Sequence, residues 1–144
     1  DTVELIMQSA ISADIIYGET AIVDDSEKFL HMRHLKAPKK LTWKSFKQGM
    51  LVCHQAFIVK REIAEPYDLN YRFSSDFDWS IRMLKKSKFI TNTNLILINY
   101  LNEGMTTANR KNSLKERYKI MVKHYGSLST ILHHIWFLVR FVIS

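Results

Sequence analysis

The segment 71–86 constrains the fold of this chain most, because a helix start and an apolar helical period coincide in it. Ser75 is followed three residues later by Asp78, a spacing that resembles a capping box. The apolar residues recur at the spacing of one helix face, at Phe77, Ile81 and Leu84. The sequence therefore predicts an amphipathic helix that begins at Ser75 and carries acids in its first turn.

Asp76 is the first-turn acid that remains once Ser75 and Asp78 are assigned to the cap. Unpaired backbone N–H groups and the positive end of the helix dipole favour a carboxylate there, so we expect Asp76 to be ionised near neutral pH. Such a carboxylate can accept a proton from a substrate hydroxyl. The alternative is that both acids only stabilise the start of the helix.

Polar residues flank this helix in a definite order along the chain. His54 and Gln55 precede an apolar run, Arg82 lies on the helix itself, and a turn at 104–107 follows another apolar run. This order resembles the C-terminal half of the family 2 glycosyltransferases, inverting enzymes of the GT-A fold that build bacterial surface polysaccharides. The resemblance covers roughly residues 1 to 125 and rests on several weak motifs together.

The family pattern around the acid is Glu-Asp-x-Asp, then an apolar residue and, a little later, an arginine. Ser75 stands where the family has its glutamate, which is a departure from the pattern. Asp76 matches the catalytic aspartate, so the resemblance implies that it removes the proton of the attacking hydroxyl. The residues implied for substrate binding are His54, Gln55, Asp78, Trp79, Arg82, Tyr100, Gly104 and Thr106.

Three of these positions keep a structural alternative. A lone histidine in an apolar run, such as His54, is often a hydrogen-bonded core residue. Arg82 can equally form an ion pair with a nearby acid. Gly104 permits backbone angles that would let neighbouring N–H groups line a ligand, but it also suits an ordinary connecting turn.

The resemblance further implies the fold and the reaction. The fold would be α/β, the C-terminal, acceptor-side part of a GT-A domain with a mixed sheet and flanking helices, over residues 1–126. The reaction would be that of a hexosyltransferase, which transfers a sugar from a nucleotide-sugar donor to a hydroxyl of a glycan or lipid-linked acceptor, with inversion.

A divalent metal, Mg or Mn, is expected for the intact enzyme on an Asp-x-Asp motif that would lie upstream of residue 1. The letters Asp76-Phe77-Asp78 have that form, but they open a helix and match the catalytic segment instead. We therefore predict no cofactor for these 144 residues, and we expect this chain, as a fragment, to be inactive alone.

Charge is distributed unevenly. Residues 1–27 contain seven acids and no Lys or Arg, so all 21 basic residues of the chain lie in the remainder, against seven acids. A basic balance suits phosphate-bearing partners, whether a nucleotide sugar, an anionic lipid or a nucleic acid, and does not choose between them; the alternative is a solvated basic surface. A nucleic-acid partner is not expected, because no binding motif is present. The alternative function is a non-catalytic basic module that binds a membrane or a partner protein, and an oligomer is open.

Cys53 is the single cysteine, which excludes an internal disulfide and a zinc cluster within these residues. A reducing, cytoplasmic setting is the simpler expectation, and no signal peptide is visible. We expect Cys53 to serve packing.

Four strands are predicted from β-branched and apolar runs. Residues 14–23 form one strand with Gly18 as a bulge, and a polar turn leads into a hairpin partner. Residues 50–59 suit a strand buried on both faces, with His54 and Gln55 exposed at a cleft. The predicted ranges are 14–23, 28–35, 50–59 and 89–100, the last as a core strand.

Further helices are predicted from start signals and apolar faces. They comprise residues 1–13, capped by Asp1 and Glu4; a brief helix capped by Thr42; and a helix that starts at Ser113 with Glu116 and ends at Gly126.

The last segment, 127–144, is apolar on nearly every side but is interrupted by His133, His134 and Arg140. Its 18 residues fall short of the about 20 that a spanning helix needs. We expect a helix in the membrane interface, peripheral at the inner face of the cell membrane, beside the preceding basic helix. The alternative is packing against the domain or a second subunit.

Overall fold

The computed structural model describes residues 12–101 and 109–143, together with Glu4, Ile6 and Gln8. It has a mixed α/β architecture, which confirms the predicted fold class at this level. In chain order the elements are β1 (Ile15–Val23), β2 (Phe29–Met32), a 3-10 helix (Trp43–Gln48), a 3-10 turn (His54–Ala56), β3 (Phe57–Val59), α1 (Ser75–Lys86), β4 (Ile90–Leu101), α2 (Arg110–Tyr125) and α3 (Ser127–Ile143).

Strand β1 is the centre of a four-stranded sheet. Strands β2 and β3 are antiparallel to it, with Ala21 opposite Met32 and Ile15 opposite Val59. Strand β4 runs parallel to β1 along its whole length. The sheet is therefore mixed, as the resemblance implied, and β1 is its most buried strand.

The core forms where β1 meets α1, α2 and the first 3-10 helix. Ile15 and Tyr17 of β1 are buried there with Phe46 and with the predicted apolar face of α1. Phe46 and Phe77 stack at 5.9 Å between ring centroids. Burial of these side chains anchors the start of α1 against the sheet, because apolar area removed from water is the main favourable term in folding.

The hairpin of β1 and β2 is confirmed, but β2 ends at Met32 and not at Leu35. The backbone N–H of Arg33 still donates to the Thr20 carbonyl of β1 at 3.0 Å. The Arg33 guanidinium donates hydrogen bonds to the carbonyls of Leu35, Met50 and Leu51, at 2.8 to 3.2 Å. The Leu35 carbonyl is therefore bound by a side chain and not by β1.

The predicted strand 50–59 is wrong over most of its length. Only Phe57–Val59 is extended in the sheet, and His54–Ala56 is a 3-10 turn. The carbonyls of Met50 and Leu51 are bound by Arg33, so they need no partner strand. Cys53 is buried, as predicted for a packing residue.

Strand β4 is correctly placed in sequence but is an edge strand and not a core strand. It pairs with β1 alone among the described elements, and Leu95, Ile96 and Leu101 are exposed. An apolar run indicates extended structure without saying how many faces are covered.

One helix prediction needs a corrected start, and another falls largely on residues that the structure does not describe. Helix α2 begins at Arg110, three residues before the predicted start at Ser113, and ends at Gly126 as predicted. The predicted helix 1–13 and its cap fall largely outside the described residues. Within the part of the chain that is described, no helix has the length and hydropathy to cross a bilayer.

Gly18 lies where the pairing of β1 with β4 shifts register, as predicted for a bulge, although the extra residues belong to β4. The β4 backbone comes so close that a Cβ at Gly18 would lie 2.6 Å from the Leu95 carbonyl oxygen and 2.8 Å from Thr93 Oγ1. Asn94 takes a positive φ of 56° in this bulge. A glycine is needed because only its bare Cα leaves room for the β4 backbone.

We predict that Gly18→Ala destabilises the fold by about 1 to 3 kcal/mol, because an added methyl group must displace β4 backbone as well as side chains. The free energy of unfolding, measured by urea titration of the circular dichroism signal, checks this. An unchanged value would show that β4 does not pass this close to β1.

Candidate active site

The start of α1 is formed differently from the predicted capping box. Ser74 is the N-cap, Ser75 is the first helical residue, and no side chain caps the helix. Ser74 is fully buried, and its Oγ lies 3.1 Å from Ser113 Oγ in α2. The predicted cap is wrong because Asp78 is used in a tertiary contact.

Asp76 lies in the first turn of α1 with its two oxygens in different settings. Oδ1 accepts a hydrogen bond of 2.8 Å from the backbone N–H of Phe77. Oδ2 lies 3.6 Å from His54 Nδ1, and the Asp76 side chain is 28% exposed. One oxygen therefore fixes the carboxylate at the helix N-terminus, and the other points to a histidine at a position that solvent can reach.

His54 and Gln55 are brought to this place by the 3-10 turn that precedes β3, and both are exposed, as predicted. The His54 side chain is 44% exposed, so it is not the buried core histidine of the structural alternative. At 3.6 Å the His54–Asp76 distance is longer than a hydrogen bond. A hydroxyl oxygen placed beside the pair, off the line between the two atoms, could bond to both.

Asp78 is fully buried, in contrast to Asp76. Its Oδ2 accepts a hydrogen bond of 2.7 Å from Arg82 Nε, and its Oδ1 accepts bonds from His124 Nε2 at 2.8 Å and Lys123 Nζ at 3.1 Å. Burial alone would raise the pKa of Asp78, but the hydrogen bonds from His124, Arg82 and Lys123 together hold it below its usual range. The carboxylate joins α1 to the end of α2.

Arg82 extends this network to the loop before α1. Its guanidinium donates to Glu65 Oε2 at 2.6 Å and to the Pro66 carbonyl at 2.8 Å, and Trp79 Nε1 donates to the Glu65 carbonyl at 2.6 Å. The ion pair considered as an alternative for Arg82 is thus present. Substrate binding by Asp78, Trp79 and Arg82 stays a prediction, while the geometry gives each of them a structural role.

We predict that Asp78→Asn lowers the free energy of unfolding by about 3 kcal/mol, because three donors that converge on a buried charge lose that charge. The matched control is Asp68→Asn, which alters a partly exposed acid 3.5 Å from the same Lys123. We expect the control to cost less than about 1 kcal/mol. Equal losses in urea unfolding would contradict a special role for the buried carboxylate.

His124 occupies a site that favours its neutral form. Its Nε2 donates to Asp78, while its Nδ1 lies 3.0 Å from Lys85 Nζ and accepts from it. Burial is the main reason why the pKa of His124 lies below its ordinary value, and the charges of Lys85 and Lys123 act in the same direction against the pull of Asp78. A second proton on Nδ1 would face the Lys85 ammonium group.

The lowered pKa of His124 makes the free energy of unfolding depend on pH. Below the ordinary value of 6.5 the unfolded chain protonates His124 while the folded state keeps it neutral. The unfolded state then binds more protons, so we expect the free energy of unfolding to fall as the pH falls through this value toward the lowered pKa.

His124→Gln keeps a donor and an acceptor in place but does not titrate, and it should flatten that slope. His34→Gln, at an exposed position, is the control and should keep it. Urea titrations at several pH values between 5 and 8 provide the measurement. A slope that persists in His124→Gln would place its origin elsewhere.

Of the other predicted site residues, only Tyr100 lies in the described part of the chain, and it makes no hydrogen bond to Asp76 there. Tyr100 is partly buried on β4 and packs against the core. Gly104 and Thr106 lie outside the described residues, so their predicted roles stay predictions. Within the described ranges, no group of three or more His, Cys, Asp or Glu side chains is placed to hold a metal ion.

Sequence reasoning missed Glu65, Lys123 and His124. Glu65 binds Arg82 and Lys86, and the other two bind Asp78. No local signal marks these three, because their partners are 17 to 46 residues away in the chain. Only the folded chain identifies them.

Comparisons of this chain with protein-family models, with curated proteins and with solved structures give no match.

Proposed function

We propose that this chain is the acceptor-side part of an inverting glycosyltransferase of the GT-A type, with Asp76 as its general base. The observation that carries the proposal is the contrast between two acids of one helix turn. Asp78 is buried and held by three donors, whereas Asp76 is partly exposed and has one oxygen directed at His54. The order of polar residues that resembles family 2 glycosyltransferases supports the same role.

In the proposed reaction the acceptor hydroxyl approaches Asp76 Oδ2. The hydroxyl oxygen forms a bond to the anomeric carbon of the donor sugar as the bond from that carbon to the nucleotide diphosphate breaks. The hydroxyl proton passes to the carboxylate of Asp76. Attack from the face opposite the leaving group inverts the anomeric centre, and the diphosphate leaves with the bonding electrons.

The surroundings of Asp76 suit a base. The Phe77 N–H bond and the N-terminus of α1 hold the carboxylate in one orientation. His54 lies close enough to accept or donate a hydrogen bond to the same acceptor hydroxyl, and it is exposed. In the described part of the chain no Lys or Arg forms an ion pair with Asp76, so no fixed cation covers the Oδ2 that faces His54.

The divalent metal that the resemblance implies does not fit these residues. Asp76 and His54 supply two donors, and the described residues add no third. No proposed step therefore passes through a metal held by this chain.

The finer fold assignment is part of the same proposal. Strands β3 and β4 each pair with β1 alone among the described strands, so both leave an outer edge unpaired. Ile58 on β3 is 40% exposed. An open sheet edge, with its unpaired backbone groups, is able to accept further strands, as addition of a nucleotide-binding half would require.

The test compares Asp76→Asn with the parent in a longer protein that carries a nucleotide-binding half ahead of residue 1. We expect sugar transfer to fall by about 100-fold or more, while donor affinity, measured by calorimetry, is retained, because the amide keeps its shape but accepts no proton. Asp25→Asn, the same change in the exposed hairpin turn, is the control and should be fully active.

An Asp76→Asn variant with full activity would leave Asp76 as a helix-start residue only. We further expect the 144-residue chain alone to be inactive in this assay. Robust transfer by it would contradict the view that it is the acceptor-side part.

A further inference from the structure

A groove of about 740 Å³ lies between α2 and α3, apart from the Asp76–His54 pair. Its interior is lined by Phe77 and Met121, both almost fully buried. Its rim includes Leu114, Tyr118 and Leu138, which are 54%, 39% and 68% exposed. The groove is therefore an apolar cleft that opens to solvent through apolar side chains, and its volume is that of a small-ligand site.

Three cationic side chains also line this groove: Lys115, Arg117 and Lys119. None of the three forms an ion pair within the described ranges. Arg117 lies with its guanidinium 5.6 Å from the centre of the Phe77 ring. Its Nε is buried, and no hydrogen-bond partner is found for it among the described residues. A donor of this kind is costly to leave unpaired, so it favours an anionic ligand at the groove.

The surrounding charge has one sign. Residues 110–143 contain seven Lys and Arg but a single acid, Glu116. The Glu116 carboxylate is already used, since it accepts hydrogen bonds from the backbone N–H groups of Arg72 and Phe73 at 3.0 and 2.8 Å. The cations at the groove consequently have no acid of their own helices to neutralise them.

The apolar rim continues along α3, where Leu132, Ile135 and Trp136 are more than half exposed. Thr130 and Phe137 on the same helix face inward, Thr130 being fully buried and Phe137 packing against the core. Helix α3 thus packs on the domain through one side and leaves a second apolar side uncovered.

The occupant must satisfy both properties of this surface. A second copy of the chain would cover the apolar side but would bring two sets of cations together, which is unfavourable. A nucleic acid would neutralise the cations but has no chain to fill an apolar cleft. An anionic lipid has both parts, a phosphate for the cations and an apolar chain for the groove.

We propose that the groove between α2 and α3 binds an anionic membrane lipid, with one apolar chain beside Phe77 and Met121 and the phosphate at Arg117 and Lys119. This binding does not depend on the proposed glycosyl transfer. It would hold the chain at an anionic membrane surface, with the exposed side of α3 against the lipid.

The first experiment measures the affinity of the 144-residue chain for alkyl phosphates by calorimetry, below their critical micelle concentrations. Each methylene group that enters the groove should strengthen binding roughly fourfold, so decyl phosphate should bind about 15-fold more tightly than octyl phosphate. Inorganic phosphate and decyl maltoside supply the charge alone and the chain alone, and both should bind at least about tenfold more weakly than decyl phosphate.

Equal affinities for octyl and decyl phosphate, or for decyl phosphate and inorganic phosphate, would overturn the proposal in favour of a simple anion patch. Equal affinities for decyl maltoside and decyl phosphate would overturn it in favour of a non-selective apolar face.

Variants locate the site on the groove. Arg117→Gln should weaken decyl phosphate binding about tenfold with little effect on decyl maltoside, whereas Lys111→Gln, on the same helix but not lining the groove, should change it less than about twofold. Leu114→Trp narrows the opening of the groove and should reduce the gain in affinity per methylene group. Leu128→Trp, at an exposed position of α3 away from the groove, should leave that gain unchanged.

Leu114 and Leu128 are both exposed, so neither substitution disturbs the core, and thermal unfolding verifies this.

Vesicle flotation tests binding to a membrane: the parent should float with phosphatidylglycerol vesicles and not with phosphatidylcholine vesicles. Flotation that is unaffected by Arg117→Gln and Leu114→Trp together would remove the groove from membrane binding.

Discussion

The buried carboxylate of Asp78 is the interaction on which the arrangement of helices depends. It accepts hydrogen bonds from one residue of its own helix and from two residues at the end of α2. Through Arg82 the same network reaches Glu65 in the loop that precedes α1. Because a buried charge is tolerated only when all its partners are in place, α1, α2 and this loop have to assemble together.

The network also explains why two acids so close in sequence differ in chemistry. Asp76 and Asp78 are separated by about 200° around the helix axis, so they face nearly opposite directions. One carboxylate points inward and its charge is neutralised by cations. The other lies at the helix mouth beside exposed His54, with one oxygen not bound by the protein. The rigid support on one side of the turn fixes the position of the Asp76 carboxylate on the other side.

The fold shows where the basic residues of the C-terminal part of the chain are used. Basic residues of α2 divide between the Asp78 network, which uses Lys123, and the apolar groove, which is lined by Lys115, Arg117 and Lys119. The former cation is paired within the protein, and the latter three are not paired with described acids. One helix therefore contributes both to internal stability and to a surface suited to an anionic, apolar ligand.

The sequence by itself determined the elements whose signals are local: the hairpin of β1 and β2, the irregular pairing at Gly18, the apolar face of α1 and the end of α2 at Gly126. These follow from side-chain period and backbone sterics over a few residues. Asp76 and His54 were also singled out from the sequence, and they lie together in the fold.

Only the tertiary structure decided which bonds are formed by residues whose partners are distant in the chain. The spacing of Ser75 with Asp78 and of Ser113 with Glu116 matches a capping box, yet both acids bind groups across the fold: Asp78 binds α2, and Glu116 binds the backbone at Arg72 and Phe73. Likewise, Arg33 binds the carbonyls of Met50 and Leu51, where the sequence predicted a strand. A short spacing specifies which bonds a side chain is able to make locally, whereas the choice between these and distant bonds depends on burial, which local sequence does not encode.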